Sequence, residues 1–197
     1  MHIMAKYNID ILTVAEVRQL IAQCSTRSPT GVRDAALISV LYRGGVRIAE
    51  ALALHERDLN AERGTLTVQR GKGSKYRVIG LDAEAFAFIE RWITKKRKVG
   101  LDKKTPLFCT LKGGYIQSQQ NMRDMLKRRA KKAGIDKRVH PHGLRHTVAT
   151  ELAIDEKVDL PTVQGFLGHA SIAATETYIK KIAPAAVVET GKNRSSW

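Results

Sequence analysis

Only two cysteines, Cys24 and Cys109, occur in 197 residues. They are too few and too far apart for a disulfide framework or a cysteine zinc site. Their apolar surroundings mark both as buried thiols of a reducing compartment. Acidic side chains are scarce beside basic ones, 19 against 34, which leaves a formal net charge of +15. So large an excess in so short a chain points to a polyanionic partner, nucleic acid first. A generally soluble basic surface is the plainer alternative. No apolar run approaches membrane-spanning length and the N-terminus has no secretory h-region, so no membrane is expected and the expected location is cytoplasmic. Internal repeats and low-complexity linkers are missing too. Hydrophobic residues nevertheless make up 43% of the chain, enough for a core, which excludes a disordered tail. The length fits one sizeable domain, or one domain with short appendages.

Residues 1–11 (MHIMAKYNIDI) carry little periodicity and read as a leader or linker stub. The TVAE stretch at Thr13–Glu16 has the pattern of a capping box and opens a helix to about Cys24, with Val14, Val17, Leu20 and Ile21 on one face. A second helix is predicted from about Gly31 to Tyr42. After RGG a short one resumes near Val46 and ends by about Leu54. TLTVQR (Thr65–Arg70) and YRVIGL (Tyr76–Leu81) are β-rich runs joined by GKGSK, which predicts a hairpin with a basic tip. A long helix follows from Asp82 to about Lys98, burying Phe86, Ile89 and Ile93. PLFCT reads as a short strand. Ser118 caps a helix to Ala133 that Gly134 ends, and its LKRRAKK stretch makes Lys127 and Arg128 candidate DNA contacts. Pro141 starts a helix reaching Ile154, Asp159–Gly168 forms another, and Ser171 caps the one that carries Tyr178. From Pro184 a last short helix precedes a polar tail. The fold class is mainly α with a small antiparallel β-sheet, an α+β arrangement.

Arginines in apolar settings are the first chemical signal. Arg145 lies among Leu144, Val148 and Leu152 in VHPHGLRHTVATEL, and His142, three residues earlier, shares its helical face. His146, one residue after Arg145, is expected to point elsewhere. A buried arginine is costly unless an anion meets it, so Arg145 pairs either with a core carboxylate or with a bound anion. Arg47, between Val46 and Ile48, poses the same choice. Glu50 on its face could be a surface partner or could orient its guanidinium toward a phosphate, to which that group is suited. Lys72, flanked by glycines at the hairpin tip, is either a solvated turn lysine or a proton donor that reaches into DNA. Positive neighbours would lower its pKa for that role. In the second case Lys75 and Arg77 are ordinary phosphate contacts. In GHASIAATETY, Gly168 and Ser171 place His169 in a turn and Tyr178 on the next helix, so the two side chains can approach one point from different directions. Taken singly, each is a packing residue. Gly165, inside a predicted helix, suggests close packing or a kink beneath His169.

Taken in order, Arg47, Lys72, His142-x-x-Arg145, His169 and Tyr178 resemble the tyrosine recombinase family of the phage-integrase type. The matching pieces are GGVRIAEALAL, GKGSKYRVIGL, HPHGLRHTVATEL and LGHASIAATETYI, which cover roughly Leu12 to Ala183. The resemblance implies the family's catalytic-domain fold over residues 12–183 and a nucleophilic Tyr178 that forms a 3′-phosphotyrosyl bond in double-stranded DNA. It implies that Arg47 and Arg145 hold the non-bridging phosphate oxygens, that His142 and His169 hydrogen-bond the same group, that Lys72 protonates the leaving oxygen, and that Glu50 supports Arg47. The covalent link conserves the phosphodiester energy, so no metal or cofactor is expected. The resemblance also implies a homotetramer on paired DNA sites, a monomer or weak oligomer without DNA, and residues 184–197 as a C-terminal segment that docks into a neighbouring subunit. Many members carry a further N-terminal helical domain. Little precedes Thr13 here, which fits a catalytic fragment or a short member such as a DNA invertase. Two rival functions share much of the pattern: a type IB topoisomerase that nicks and reseals one duplex, and a non-catalytic DNA-binding protein.

Overall fold

The computed structural model describes residues 10–70, 75–155, 157–169, 171, 173, 175, 176 and 180. Lys72, Tyr178 and the segment from Pro184 lie outside the described residues, as does most of the expected leader. Asp10 and Ile11, assigned to that leader by sequence, belong to the folded body. The Asp10 carboxylate accepts from the Arg138 backbone N–H at 3.0 Å and the Ile11 carbonyl accepts from Lys137 Nζ at 2.9 Å.

Helix α1 (Val14–Ala22) starts at the expected capping box. Thr13 Oγ1 accepts from the Glu16 N–H at 3.1 Å while Glu16 Oε2 accepts from the Thr13 N–H at 2.7 Å. Helix α2 (Pro29–Arg43) opens two residues earlier than expected, because Ser28 caps it and Pro29 suits the first turn. It is the axis of the core. Ala36, Leu37, Ile38, Val40 and Leu41 are all fully buried, as befits a helix enclosed on every side. Helix α3 (Ile48–Ala53) follows after Gly44 and Gly45.

The sheet has three antiparallel strands, β1 (Leu59–Asn60), β2 (Thr65–Arg70) and β3 (Lys75–Gly80), in the order β1-β2-β3. β2 and β3 form the expected hairpin, with Leu66 opposite Ile79 and Val68 opposite Arg77. The two-residue β1 was not expected, being too short to show a period. PLFCT is not a strand: only Cys109 pairs, in a single bridge to Tyr115. The stretch serves the core instead. The Leu107 N–H donates to the Leu54 carbonyl at 2.6 Å, and the buried Trp92 indole donates to the Leu107 carbonyl.

Helix α4 (Ala83–Lys98), capped by Asp82, packs along α2. Helix α5 (Gln119–Lys132) is capped by Ser118 as expected. Helix α6 (Pro141–Ile154) matches its predicted bounds and packs against α2. Helix α7 (Leu160–Leu167) is capped by Asp159 and packs against α6 and β3. Both cysteines are buried free thiols, and burial pushes the Cys24 thiol up to about 11.

Two glycines divide sharply. Gly45 adopts φ +56°, and a Cβ there would meet Phe166 at 2.7 Å and Val148 at 3.1 Å. Gly165 is exposed and a Cβ there would meet nothing within 4 Å, so the expected close packing beneath His169 is at Gly45 and not at Gly165. Urea unfolding should therefore give opposite signs for the two substitutions. Gly45→Ala costs at least about 2 kcal/mol through backbone strain and overpacking, whereas Gly165→Ala gains about 0.5–1 kcal/mol of helix propensity.

Candidate active site

The end of α7 is where the distant segments meet. Gly168 takes the left-handed conformation, and its N–H and that of His169 both turn back on the Gln164 carbonyl, at 2.8 and 3.2 Å. This releases the carbonyls of Phe166 and Leu167 to other partners, and each takes a buried guanidinium. Arg145, on α6 and 2% exposed, donates from Nη2 to the Leu167 carbonyl at 2.6 Å and from Nη1 to the Gly45 carbonyl. Arg77, on β3, donates from Nε to the Phe166 carbonyl at 3.2 Å. These carbonyl oxygens fix the direction of the Arg145 guanidinium.

Arg47 stands two residues after Gly45, at the N-cap of α3. Its backbone N–H donates to Glu50 Oε2 at 2.8 Å and its Nη1 to Oε1 at 3.1 Å, so Glu50 does fix the Arg47 side chain. Glu50 is itself held by Arg77, whose Nη1 and Nη2 donate to its two oxygens at 3.0 and 2.8 Å. Burial works to raise the Glu50 carboxyl. The Arg77 hydrogen bonds, the Arg47 N–H and the two guanidinium charges outweigh it and bring the pKa down to about 2.

The histidines lie on the same side. His140 caps α6, its Nδ1 accepting from the Gly143 N–H at 3.1 Å. His142 is exposed, and the His146 ring lies edge-on against it with centroids 4.1 Å apart. The expectation that His146 points elsewhere is thus corrected: at i+4 it shares the His142 face. Although His142 reaches solvent, the water it loses on its protein side, then the charges of Arg145, His140 and Arg47, hold it below its ordinary value. Burial and its histidine neighbours bring His146 down to about 4. His169 Nδ1 hydrogen-bonds Thr175 Oγ1 at 3.1 Å, and the fully buried Thr175 donates its N–H to the Ser171 carbonyl at 3.3 Å.

Of the residues singled out by sequence, Arg47, Glu50, Arg145, His142 and His169 are drawn to this one region. Lys75 closes the hairpin pair opposite Arg70. Lys127 and Arg128 are exposed on α5, whereas Arg129 turns inward onto Asp34. Arg77 departs from its expected role as a phosphate contact. It is 8% exposed, with Glu50 and the Phe166 carbonyl on its donors. The signal for this was available, since Arg77 alternates with Tyr76 and Val78 and so takes the inward face of β3. Among the described residues, no group of three or more His, Cys, Asp or Glu side chains could hold a metal ion, and no helix is long and apolar enough to cross a membrane.

The model of the phage integrase family matches residues 10–183. Over 169 residues the chain is 36% identical to tyrosine recombinase XerD of Ralstonia nicotianae, covering 85% of this chain and 54% of that protein. It is 37% identical over 168 residues to tyrosine recombinase XerC of Xanthomonas campestris pv. campestris, covering 85% and 50%. The chain thus spans about half the length of these curated relatives. The crystal structure of XerA recombinase has a TM-score of 0.77 at 29% identity, covering 95% of this chain and 66% of that one. XerH site-specific recombinase in a post-cleavage complex with palindromic difH substrate has a TM-score of 0.72 at 27% identity, covering 91% and 53%.

The histidine cluster sets a pH dependence of stability. The folded-state pKa of His146, about 4, lies below its ordinary 6.5, so the unfolded chain takes up the proton first. Its contribution is complete above 6.5 and is lost as the pH falls toward 4, at no more than about 1.4 kcal/mol per pH unit. Urea unfolding across this range should show the loss, and His146→Phe should reduce it. What remains belongs to His140 and His142, both also lowered. Glu50 acts in a lower window, between 4.5 and about 2.

Proposed function

The chain belongs to the phage integrase family, and on that premise we propose that it is a site-specific DNA recombinase which cuts and rejoins strands through a 3′-phosphotyrosyl bond to Tyr178. The observation that carries the reading is the convergence of Arg47, Arg145 and the His169 turn on the end of α7, from segments about a hundred residues apart.

The Tyr178 hydroxyl gives up its proton to solvent as it attacks the scissile phosphorus, and the bond to the 5′ oxygen breaks. That oxygen takes a proton from Lys72 and leaves as a 5′-hydroxyl. Arg47 and Arg145 hold the non-bridging oxygens and offset the charge that builds up as the two bonds exchange. Glu50 keeps Arg47 aimed. His142 and His169 hydrogen-bond the same phosphate, and the lowered pKa of His142 makes it a neutral partner at neutral pH. A 5′-hydroxyl from a second strand then attacks the phosphotyrosine and releases Tyr178, so the number of phosphodiester bonds is conserved without a cofactor. Lys75, Lys127 and Arg128 contact the DNA backbone. Four copies act on paired sites in the cytoplasm, with residues 184–197 docking between subunits.

Duplexes selected for binding from a random pool and nicked beside the cleavage point trap the covalent intermediate. On a denaturing gel the wild-type chain should form an adduct and Tyr178→Phe should form none, with affinity unchanged within about twofold. Adducts in the variant would refute the assignment of Tyr178. Strand exchange between two labelled duplexes, as opposed to relaxation of one, separates recombination from topoisomerase action.

Binding should also weaken steeply with salt, by roughly a thousandfold between 50 and 200 mM if six or more phosphates are neutralised. The double change Lys127→Ala, Arg128→Ala should lower the slope of log affinity against log salt by about two. A slope unchanged from wild type would remove α5 from the DNA face.

A further inference from the structure

We infer that Arg77 is a positioning residue of the candidate active site: it locks Glu50, and through Glu50 the Arg47 side chain, to the end of α7 from which His169 departs. The inference rests on the reading that Arg47, Arg145 and His169 form the phosphate pocket.

Strand β3 departs from the ordinary logic of a strand at one position. Tyr76 and Val78 face solvent, 64% and 52% exposed, while Arg77 turns its guanidinium inward on the face that also buries Ile79. Burying an ion pair brings little net stability, since an apolar residue of similar volume commonly serves as well or better. Stability alone therefore does not account for Arg77, and its contacts indicate what does. The fork joins α3, β3 and α7, spanning 27 residues to Glu50 and 89 to Phe166. Each Glu50 oxygen accepts twice, Oε1 from Arg77 Nη1 and Arg47 Nη1, and Oε2 from Arg77 Nη2 and the Arg47 N–H. The Arg47 side chain is about half exposed and takes its direction from that carboxylate. On the other side of the fork the Phe166 carbonyl lies one residue before the Leu167 carbonyl held by Arg145, and three before His169. Arg77 therefore sets the spacing between the Arg47 arm and the His169 turn. Lysine, with one nitrogen, cannot grip both the carboxylate and the carbonyl as a planar fork does.

The test uses inorganic phosphate as the probe and protein labelled with nitrogen-15 in arginine and histidine side chains. Arg77→Met alone leaves a buried carboxylate without its partner and is prone to unfold, so the informative comparison is Glu50→Gln against Glu50→Gln/Arg77→Met, with thermal unfolding run on both. In the wild-type chain phosphate should shift the Arg47, Arg145 and His169 signals together. The double variant should melt within a few degrees of Glu50→Gln, yet bind phosphate about tenfold or more weakly than it, with the Arg47 and His169 shifts no longer moving together. Arg77→Lys should fall between wild type and the double variant. Equal phosphate responses in Glu50→Gln and the double variant would overturn the inference and leave the pocket standing. A double variant that fails to fold would overturn it too, by making Arg77 a residue of stability. A wild-type chain whose three signals ignore phosphate would overturn the pocket itself, and the inference with it.

Discussion

Two consecutive carbonyl oxygens, those of Phe166 and Leu167, hold the candidate site together. They belong to the last turn of α7, where carbonyls have no partner within the helix and the helix dipole is negative. A guanidinium buried there meets oriented partial charge, which lowers the cost of removing it from water. Arg77 takes the first oxygen and Arg145 the second. Arg145 then reaches the Gly45 carbonyl, and Gly45 is pressed against the Phe166 ring where no side chain would fit. The α2–α3 turn, the hairpin, α6 and α7 are thus tied at one knot. Arg47 leaves it on one side and His169 on the other.

The knot also sorts the charges. Glu50 is shared by two arginines and answers Arg77 with both oxygens, while Arg145 is steered by neutral carbonyls. Loss of water first, and then the positive charges of Arg145, His140 and Arg47, keep His142 below its ordinary value. An anion placed between the two arginines would offset that field and make His142 more basic.

Much of this was legible in the chain. The capping residues Thr13 and Ser118 and the first-turn proline Pro141 predicted helix starts that the structure reproduces, because such signals act between near neighbours. The hairpin followed from its period. The arginines, Glu50, His142 and His169 were found because their residue types and order resemble a known family, although spacing alone left each with an ordinary structural role. The misses have physical reasons. A two-residue strand has no period, and PLFCT is apolar because it lies in the core, not because it pairs. Close packing was expected at Gly165 when Gly45, 120 residues earlier, supplies it from another segment. Arg77 was read by its charge when its place in the strand alternation decided its direction.

The same distinction bears on how the net charge of +15 is to be understood. Several basic side chains are held in structural ion pairs. Arg33 and Arg129 both pair with Asp34, Lys96 and Arg97 with Glu56, and Arg77 and Arg47 with Glu50. In each case one carboxylate serves two cations. These buried or half-buried networks therefore take acidic residues out of the surface while leaving a positive remainder in each cluster. Three of the 19 acids are spent in this way, while Lys127 and Arg128 stay exposed on α5.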